Sequence, residues 1–252
     1  MLNAKNKKRP VDPNRVEQEP IEEGTYPCRV VQIIELGMQP QRPHKGKVKP
    51  PVEMMMLTYE LVDEFCLDKE GEEDESQPRW QAEEFPYYGL DCTTATCNKR
   101  LKAIDPRDET EGDWAEVVGM AVNVTFYHNI KPEKTYVNVS AATSIRKKEL
   151  KDVPELVSPT TVFDLDDPDL EIFYKLPNWL QNKITSNLNF EGSVLEEAIE
   201  NYDENEEKEE PKEEKKPKPK AKKKSRKAPP VEEEEDGPEP EYDEDGNEIP
   251  WD

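Results

Sequence analysis

The sequence predicts a mainly β body of five strands with one helix between the third and fourth strands, a partly helical extension and a disordered tail. Segments rich in Val, Ile and aromatic residues alternate with turns that contain Pro, Gly and Asn, a pattern typical of β-proteins. Charged residues make up 37% of the chain and apolar residues only 33%, so the whole length cannot pack into one core. The signs of the charges are also segregated near the C-terminal end.

The first part of the body contains three predicted strands. Each is rich in β-branched, aromatic or long apolar residues, and each is bounded by Gly, Pro or an acidic stretch. The strands are Thr25–Leu36, Val52–Phe65 and Arg79–Tyr87, separated by the loop Gln39–Pro51 and the acidic insertion Asp68–Gln77. Residues 1–22, with three prolines, are expected to form a flexible N-terminal arm.

One helix and two more strands complete the body. Thr93–Ile104 carries helix formers with apolar spacing, and Asp105 and Pro106 end it. Met120–His128 and Thr135–Ala142 predict a hairpin of strands four and five. If the hairpin folds symmetrically about residues 131 and 132, Phe126 lies opposite Val137 and Val124 opposite Val139, so the apolar faces coincide. Tyr127 then lies across from Tyr136 on the polar face, beside Lys131 and Lys134.

Three strands, a helix and two strands are the element order of an OB-fold, a five-stranded barrel. Gly119, just before the fourth strand, suits a corner of such a barrel. We therefore expect residues 23–150 to form an OB-fold-like body. Residues 151–200 are expected to form an apolar, partly helical extension packed on that body, with helices over Pro177–Asn187 and Ser193–Ile199.

The remaining residues, 201–252, have 20 acidic and 11 basic side chains. Ten of the basic residues lie in Pro211–Lys227, whereas Ala228–Asp252 has twelve acids and no base. Blocks of like charge repel and bury little apolar surface, so the tail is predicted to be disordered. Its end combines carboxylates with an apolar tip, which is typical of a peptide that docks in a pocket flanked by Lys or Arg. The partner-binding residues would be Asp243, Glu244, Asp245, Glu248, Ile249, Pro250, Trp251 and Asp252. The alternative is a tail that only confers solubility.

Basic and aromatic residues in the body suggest a single-strand binding surface. Proteins of this class combine a basic groove for phosphates with aromatic rings for base stacking. In an OB-fold the loops after strands one and four border the binding face, and here both loops contain lysines. The candidate DNA-binding residues are Arg42, His44, Lys45, Lys47, Lys49, Tyr59, Trp80, Lys99, Arg100, Tyr127, Lys131, Lys134 and Tyr136. The alternative is that the charged runs are ordinary solvated faces. The acidic tail could occupy the basic groove until DNA displaces it.

Other chemistries have little support in the sequence. It contains no phosphate-binding, nucleophile-elbow or zinc-protease motif, so we expect no enzyme, no catalytic residue and no cofactor. The cysteines Cys28, Cys66, Cys92 and Cys97 form no CxxC pair, and reduced thiols are expected rather than a metal site. A zinc site that uses Cys92, Cys97 and the two histidines stays open. No apolar run is long enough to span a membrane.

Several segments resemble single-stranded DNA-binding proteins of tailed bacteriophages. The similar stretches are Glu23–Gly37, the Lys-Pro-Pro loop ending at Pro51, Leu57–Leu61 and Phe173–Leu180. The acidic end with an aromatic residue also resembles bacterial single-strand binding proteins, although here Asp252 follows Trp251. The resemblance implies an OB-fold and a role in phage replication, recombination or repair in the cytoplasm of the infected bacterium. It also implies contact with a polymerase, helicase or primase through the tail, and a homodimer stays possible. The alternative function is an acidic scaffolding or DNA-mimicking protein without DNA affinity.

Overall fold

The computed structural model describes residues 16, 18–43, 45–132 and 134–209, together with 241–242 and 248–249. The chain divides into two compact units, Met1–Ala198 and Ile199–Asp252. The first unit holds the sheet and the shorter helices. In the second unit the structure describes the last part of a helix and two paired two-residue strands.

The first unit is built on a six-stranded sheet. Its strands are β1 (Gly24–Gln39), β2 (Val52–Leu67), β3 (Glu73–Pro86), β4 (Ala121–Lys131), β5 (Lys134–Ser144) and β6 (Thr161–Phe163). The helices are α1 (Thr96–Ile104), α2 (Lys147–Leu150), α3 (Leu170–Lys175), α4 (Asn178–Thr185) and α5 (Val194–Glu209), with a 3-10 turn at Ala115–Val117. The paired strands of the second unit are β7 (Glu241–Tyr242) and β8 (Glu248–Ile249).

Strand β1 is the centre of the sheet because it pairs with three others. Five strands run antiparallel in the order β3-β2-β1-β4-β5. The first part of β1 pairs with β4, and Gln32–Ile34 pair in parallel with β6. Strand β1 shifts register against β2 between Glu35 and Gly37, where Gly37 adopts φ +70°. Such a bulge favours glycine because a left-handed backbone strains other residues.

The inner face of the sheet carries the main core. Period-two alternation turns Met55, Leu57, Tyr59 and Leu61 of β2 towards this face. Helix α1 closes it with Cys97, Leu101 and Ile104, which recur at helical spacing. The partly buried side chains of Val137, Val139 and Ala142 on β5 pack against the same cluster.

The outer face of the sheet is partly covered by residues 151–198. The ring centroids of Phe163 on β6 and Phe173 on α3 lie 5.8 Å apart. Gln39 at the end of β1 donates through Nε2 to the carbonyl oxygen of Lys183 on α4, at 3.1 Å. Buried apolar side chains fill this layer, among them Ile34, Leu36, Met56, Phe163, Phe173, Leu176, Leu180 and Ile184. The extension therefore forms a second apolar layer on the sheet.

The predicted mainly β class is confirmed, with few helices, and the five predicted strands and the helix before β4 are present. The sheet is open along its described residues, with β3 and β5 at its two edges. Strand β6 was not predicted, because three residues carry too weak a periodic signal. The last predicted helix, Ser193–Ile199, continues to Glu209, across the expected start of the tail.

The predicted register of the β4–β5 hairpin is wrong. The sequence put Phe126 opposite Val137 and Val124 opposite Val139. The structure pairs Phe126 with Val139 and Val124 with Ala142. The turn is centred one residue later than expected, and a register shift between Thr125 and Phe126 moves the remaining pairs of β5 by one more position.

The expected N-terminal arm is described only in its last part. Residues 1–15 lie outside the described residues, whereas Ile21 is buried in the main core. Gln18 pairs its side-chain amide with the backbone of Leu67 through two hydrogen bonds, at 3.0 and 2.9 Å. The predicted arm therefore joins the body at least from Gln18 onward. No helix among the described residues is long and apolar enough to cross a membrane.

Candidate nucleic-acid interface

Trp80 lies on the outer face of β3 and is 45% exposed. Its indole nitrogen donates a hydrogen bond to Oε2 of Glu60 on β2, at 3.2 Å. Glu60 is only 1% exposed, and its carboxylate also accepts from the backbone N–H groups of Val157 and Ser158. A buried carboxylate with three donors therefore fixes the plane of a half-exposed ring. Trp80 therefore presents an oriented aromatic face at the surface.

Tyr136 on β5 is a second half-exposed ring, at 44%. The side-chain nitrogens of Lys131 and Lys134 lie 5.5 and 5.2 Å from its ring centroid. These distances are within the range of cation–π attraction, worth about 0.5–1 kcal/mol at exposed sites. Neither lysine pairs with a carboxylate among the described residues. Tyr136 thus presents an aromatic surface beside two positive charges.

Trp80 lines two grooves. The first, the β3–β5 groove, encloses about 340 Å³ between the two sheet edges. It is lined by Gln18–Ile21, Arg79–Gln81 and Lys134–Val137. The second, the extension groove, encloses about 480 Å³ between the outer sheet face and the helices α3 and α4. It is lined by Gln32, Met56, Thr58, Trp80, Ala82, Thr161, Ile172, Lys175, Leu176, Pro177, Trp179 and Leu180.

The β3–β5 groove also has acidic neighbours. Arg79 donates to the carbonyl oxygen of Glu19 and lies 4.0 Å from a carboxylate oxygen of Glu64. Burial raises the pKa of the Glu64 carboxyl, Arg79 opposes that rise, and Asp63 adds to it. The charge of Arg79 is therefore shared with these acids. Lys131 and Lys134, beside the ring of Tyr136, are therefore the basic side chains of this region that can contact an anion.

The structure brings several predicted residues together. Trp80, Lys134 and Tyr136 line one groove, and Lys131 contacts the ring of Tyr136. Tyr127 lies on the same face of the hairpin but pairs with Asn138, whereas Tyr136 pairs with Asn129. The predicted placement of Tyr127 directly across from Tyr136 is therefore wrong. The two rings are diagonal neighbours, and the Tyr127 hydroxyl accepts from Asn138 Nδ2 at 3.2 Å.

The prediction that Tyr59 and Arg100 contact DNA is wrong, because both side chains are buried. Tyr59 is 0% exposed, and its hydroxyl donates to Oε1 of Glu83 at 2.7 Å. Arg100 on α1 donates to both carboxylate oxygens of Glu83, at 2.8 and 3.1 Å. Burial raises the pKa of Tyr59, and the charge of Glu83 raises it further. This Tyr59–Glu83–Arg100 cluster joins β2, β3 and α1, and cannot reach a nucleic acid.

The other predicted basic residues lie away from the two rings. Lys99 is exposed on α1, which packs on the inner face of the sheet, opposite to Trp80. Arg42, Lys45 and Lys47 are exposed and Lys49 is half-buried in the β1–β2 loop, and His44 lies outside the described residues. That loop follows Gln39, whereas the β4–β5 turn lies beyond the other end of β1, near Gly24. The two basic loops therefore lie at opposite ends of β1.

The extension groove occupies the space between these ends. Thr58, on its floor, is six residues from the start of β2 at Val52, about 20 Å along the strand. Along β2 the extension groove therefore lies between the β3–β5 groove and the loop lysines.

Nothing in the sequence indicated two residues that shape this surface, the exposed Trp179 and the buried Glu60. Trp179 was expected in the apolar layer of the extension, but it is 57% exposed and lines the extension groove. Its position in the first turn of α4, two residues after Pro177, gave no sign of its direction. Glu60 was missed because an acidic residue within an apolar strand gives no indication of its partners.

The predicted tail residues Asp243, Glu244, Asp245, Pro250, Trp251 and Asp252 lie outside the described residues. For Glu248 and Ile249 the structure gives only their backbone place in β8. Among the described residues, no group of three or more His, Cys, Asp or Glu side chains is arranged to hold a metal ion. No model of a known protein family matches this chain, and no curated protein matches it.

Proposed function

We propose that the protein binds single-stranded DNA, with Trp80 and Tyr136 as base-stacking rings and Lys131 and Lys134 as phosphate contacts. The observation that carries this proposal is the β3–β5 groove, where two half-exposed rings lie beside a lysine. Stacking on an aromatic side chain contributes about 1–3 kcal/mol per base and tolerates every base. Because this exceeds the cation–π attraction at an exposed site, a base can replace a lysine over the ring of Tyr136.

The strand order supports a more specific proposal for the mainly β body, namely that it is an OB-fold. In the order β3-β2-β1-β4-β5, the two edge strands are those that a five-stranded barrel of this connectivity brings together. Gln81 on β3 donates through Nε2 to the carbonyl oxygen of Val137 on β5, at 2.8 Å. Helix α1 follows β3 and packs against the main core on the inner face of the sheet. Gly119 precedes β4 and adopts φ +84°. We propose that β3 and β5 are the closing seam of the barrel.

The role in the cell and the partners are proposed from charge and resemblance. Such a protein would coat single strands during replication, recombination or repair of a phage in its bacterial host. The acidic residues after Ala228 would compete with DNA for the basic side chains of the body, and would recruit a replication protein when DNA displaces them. A tail that competes in this way would weaken DNA binding most at low salt, where exposed charges are least screened.

An acidic scaffolding protein is the second candidate. It is favoured by the net charge of −23 and by the carboxylates around Arg79, together with the distance of the β1–β2 loop from Tyr136. A protein of this kind would bind basic partners and show no affinity for oligonucleotides. The two functions therefore differ in a direct binding measurement.

The test is a fluorescence-anisotropy titration of labelled oligo-dT with the full chain and with Trp80→Ala and Tyr136→Ala. Each substitution should weaken binding by about 5- to 150-fold, the equivalent of the stacking energy of one base. Tyr88→Ala is the matched control, because Tyr88 is 40% exposed but lines neither groove. Equal losses in all three variants would mean that the two grooves are not the interface. A wild type that does not bind oligo-dT would leave the scaffolding function.

Two further variants address the charges. Removal of Lys134 should lower the salt dependence by about 0.7 log unit per log unit of salt, the value for one phosphate contact on a single strand. A chain that ends after Glu209 keeps α5 whole and lacks the charged tail. It should bind oligo-dT more tightly than the full chain at low salt and equally at high salt. An unchanged affinity at both salt concentrations would contradict competition by the tail.

A further inference from the structure

The floor of the extension groove holds one polar pair in a mostly apolar lining. Gln32 on β1 and Thr58 on β2 are register partners, and the Thr58 hydroxyl donates to Gln32 Oε1 at 3.2 Å. Thr58 is only 3% exposed, whereas Gln32 is half-buried and reaches the groove. The side chains around the pair include Met56, Ala82 and Leu176. The hydrogen bond orients the Gln32 amide with its oxygen towards Thr58.

The bond to Thr58 occupies the amide oxygen of Gln32 and leaves the amide nitrogen as its donor. Among the described residues, no protein acceptor contacts Gln32 Nε2. The register of β1 against β2 shifts between Val30 and Gln32, and such shifts re-aim side chains. Gln32 is half-buried, and its amide nitrogen is not among the buried polar atoms that lack a partner in the described part of the chain, so it is accessible to water or to a ligand. The groove therefore offers an oriented N–H donor to an acceptor from outside.

The walls of the groove suit a flat ligand. Trp80 is held by the buried carboxylate of Glu60, and Trp179 lines the same groove from the first turn of α4. Lys175 lies at the rim, where its pairing with Glu171, at 3.7 Å between exposed side chains, is weak. Aromatic walls, an amide on the floor and a cation at the rim match an unstacked nucleobase with its phosphate.

We infer that the extension groove takes one nucleobase and that the amide nitrogen of Gln32 donates to a carbonyl oxygen on the edge of that base. This inference rests on the proposed single-strand binding and adds a base preference to it. Thymine, cytosine and guanine carry carbonyl oxygens, whereas adenine presents only ring nitrogens as acceptors. Gln32 would therefore favour oxo-bearing bases over adenine, and Thr58 would act as the positioning residue for its amide.

The test compares the affinities of the full chain for oligo-dT and oligo-dA, before and after Gln32→Met. Methionine keeps the length of the side chain but donates no hydrogen bond. The ratio of the dT to the dA affinity should fall by about two- to tenfold, the worth of one neutral hydrogen bond. Thr58→Val, which removes the hydroxyl at similar size, should lower the ratio in the same direction. The control is Gln77→Met, at an exposed glutamine outside both grooves.

The outcomes separate the two proposals. Binding of oligo-dT by the wild type with an unchanged dT/dA ratio in Gln32→Met overturns the base-reading role and leaves single-strand binding intact. An equal loss of affinity for both oligonucleotides also overturns it, because Gln32 would then contact the sugar–phosphate backbone. A wild type that binds neither oligonucleotide overturns both proposals. Thermal unfolding of each variant shows whether a changed ratio comes from a folded protein.

Discussion

The Glu83–Arg100 ion pair gives a direct test of the structure, because the sequence placed Arg100 on a DNA-binding surface. The two side chains are 12% and 8% exposed and are joined by two hydrogen bonds at 2.8 and 3.1 Å. Tyr59 adds a third bond to the same carboxylate. The perturbations are Glu83→Gln, Arg100→Met and the double variant. Each single change removes one charge and leaves the other buried.

Loss of one partner of a buried ion pair destabilises a protein by about 3–5 kcal/mol, because the remaining charge is uncompensated. For a unit of this size, each kcal/mol corresponds to about 2–4 °C, so each single variant should melt about 6–20 °C lower. The double variant leaves no buried charge at this place. It should therefore cost less than the sum of the single changes, with a coupling energy above about 1 kcal/mol.

The assay is urea unfolding followed by circular dichroism, arranged as a double-mutant cycle. Arg107→Met is the control, since Arg107 forms an ion pair with Glu109 whose two side chains are more than half exposed. Such surface pairs contribute about 0–1 kcal/mol. Losses below about 1 kcal/mol in both single variants would refute the buried cluster. So would an Arg100→Met protein of full stability that has lost its affinity for oligo-dT, because Arg100 would then belong to the interface.

Three further predictions concern stability. Gly37→Ala should lower the free energy of unfolding in urea by about 1–3 kcal/mol. The reason is that Gly37 has φ +70° and an added Cβ would lie 2.7 Å from Asn187 Cγ. A neutral effect would mean that the bulge is absent. Leu180→Ala should lower the free energy of unfolding by about 2–5 kcal/mol, because Leu180 is 1% exposed beneath the extension. A loss as small as that of a surface residue would mean that the extension does not pack on the sheet. Burial raises the pKa of Tyr59 above its ordinary value of 10.0, so the stability it contributes is complete below about pH 10 and is lost as the pH rises toward the folded-state pKa. Tyr59→Phe should therefore lose less stability than the wild type between about pH 9 and pH 11, and parallel pH profiles would contradict this placement.

Local sequence pattern predicted the elements well because strand and helix periods are properties of short segments. The alternation of Met55, Leu57, Tyr59 and Leu61 marked one face of β2. The same alternation contained the signal that Tyr59 belongs to the core, since it shares the parity of three apolar residues. Arg100 carried a similar signal, because it lies between Cys97 and Ile104 on the buried face of α1. The position of a residue in the apolar pattern is therefore a stronger indication of burial than its aromatic or basic type is of binding.

The register between strands could not be predicted, because it depends on contacts between residues far apart in the sequence. The shift between Thr125 and Phe126 changes which residues of β5 face the core, and nothing in either strand alone marks it. The three-residue strand β6 exists because it pairs with Gln32–Ile34, more than a hundred residues earlier. The exposure of Trp179 likewise depends on how α4 packs on the sheet.

The sequence by itself determined the mainly β class, the order of the five strands with their helix, and the segregation of charge in residues 201–252. These follow from local periodicity and composition. Only the tertiary structure placed Trp80 and Tyr136 in one groove, because that groove forms where the edges β3 and β5 approach each other. The tertiary structure alone showed that Glu60 accepts a hydrogen bond from the ring of Trp80. It also placed Gln32 on the floor of the extension groove. Surfaces of this kind are assembled from distant segments, so the physical reason for their composition lies in packing across the sheet rather than in any one strand.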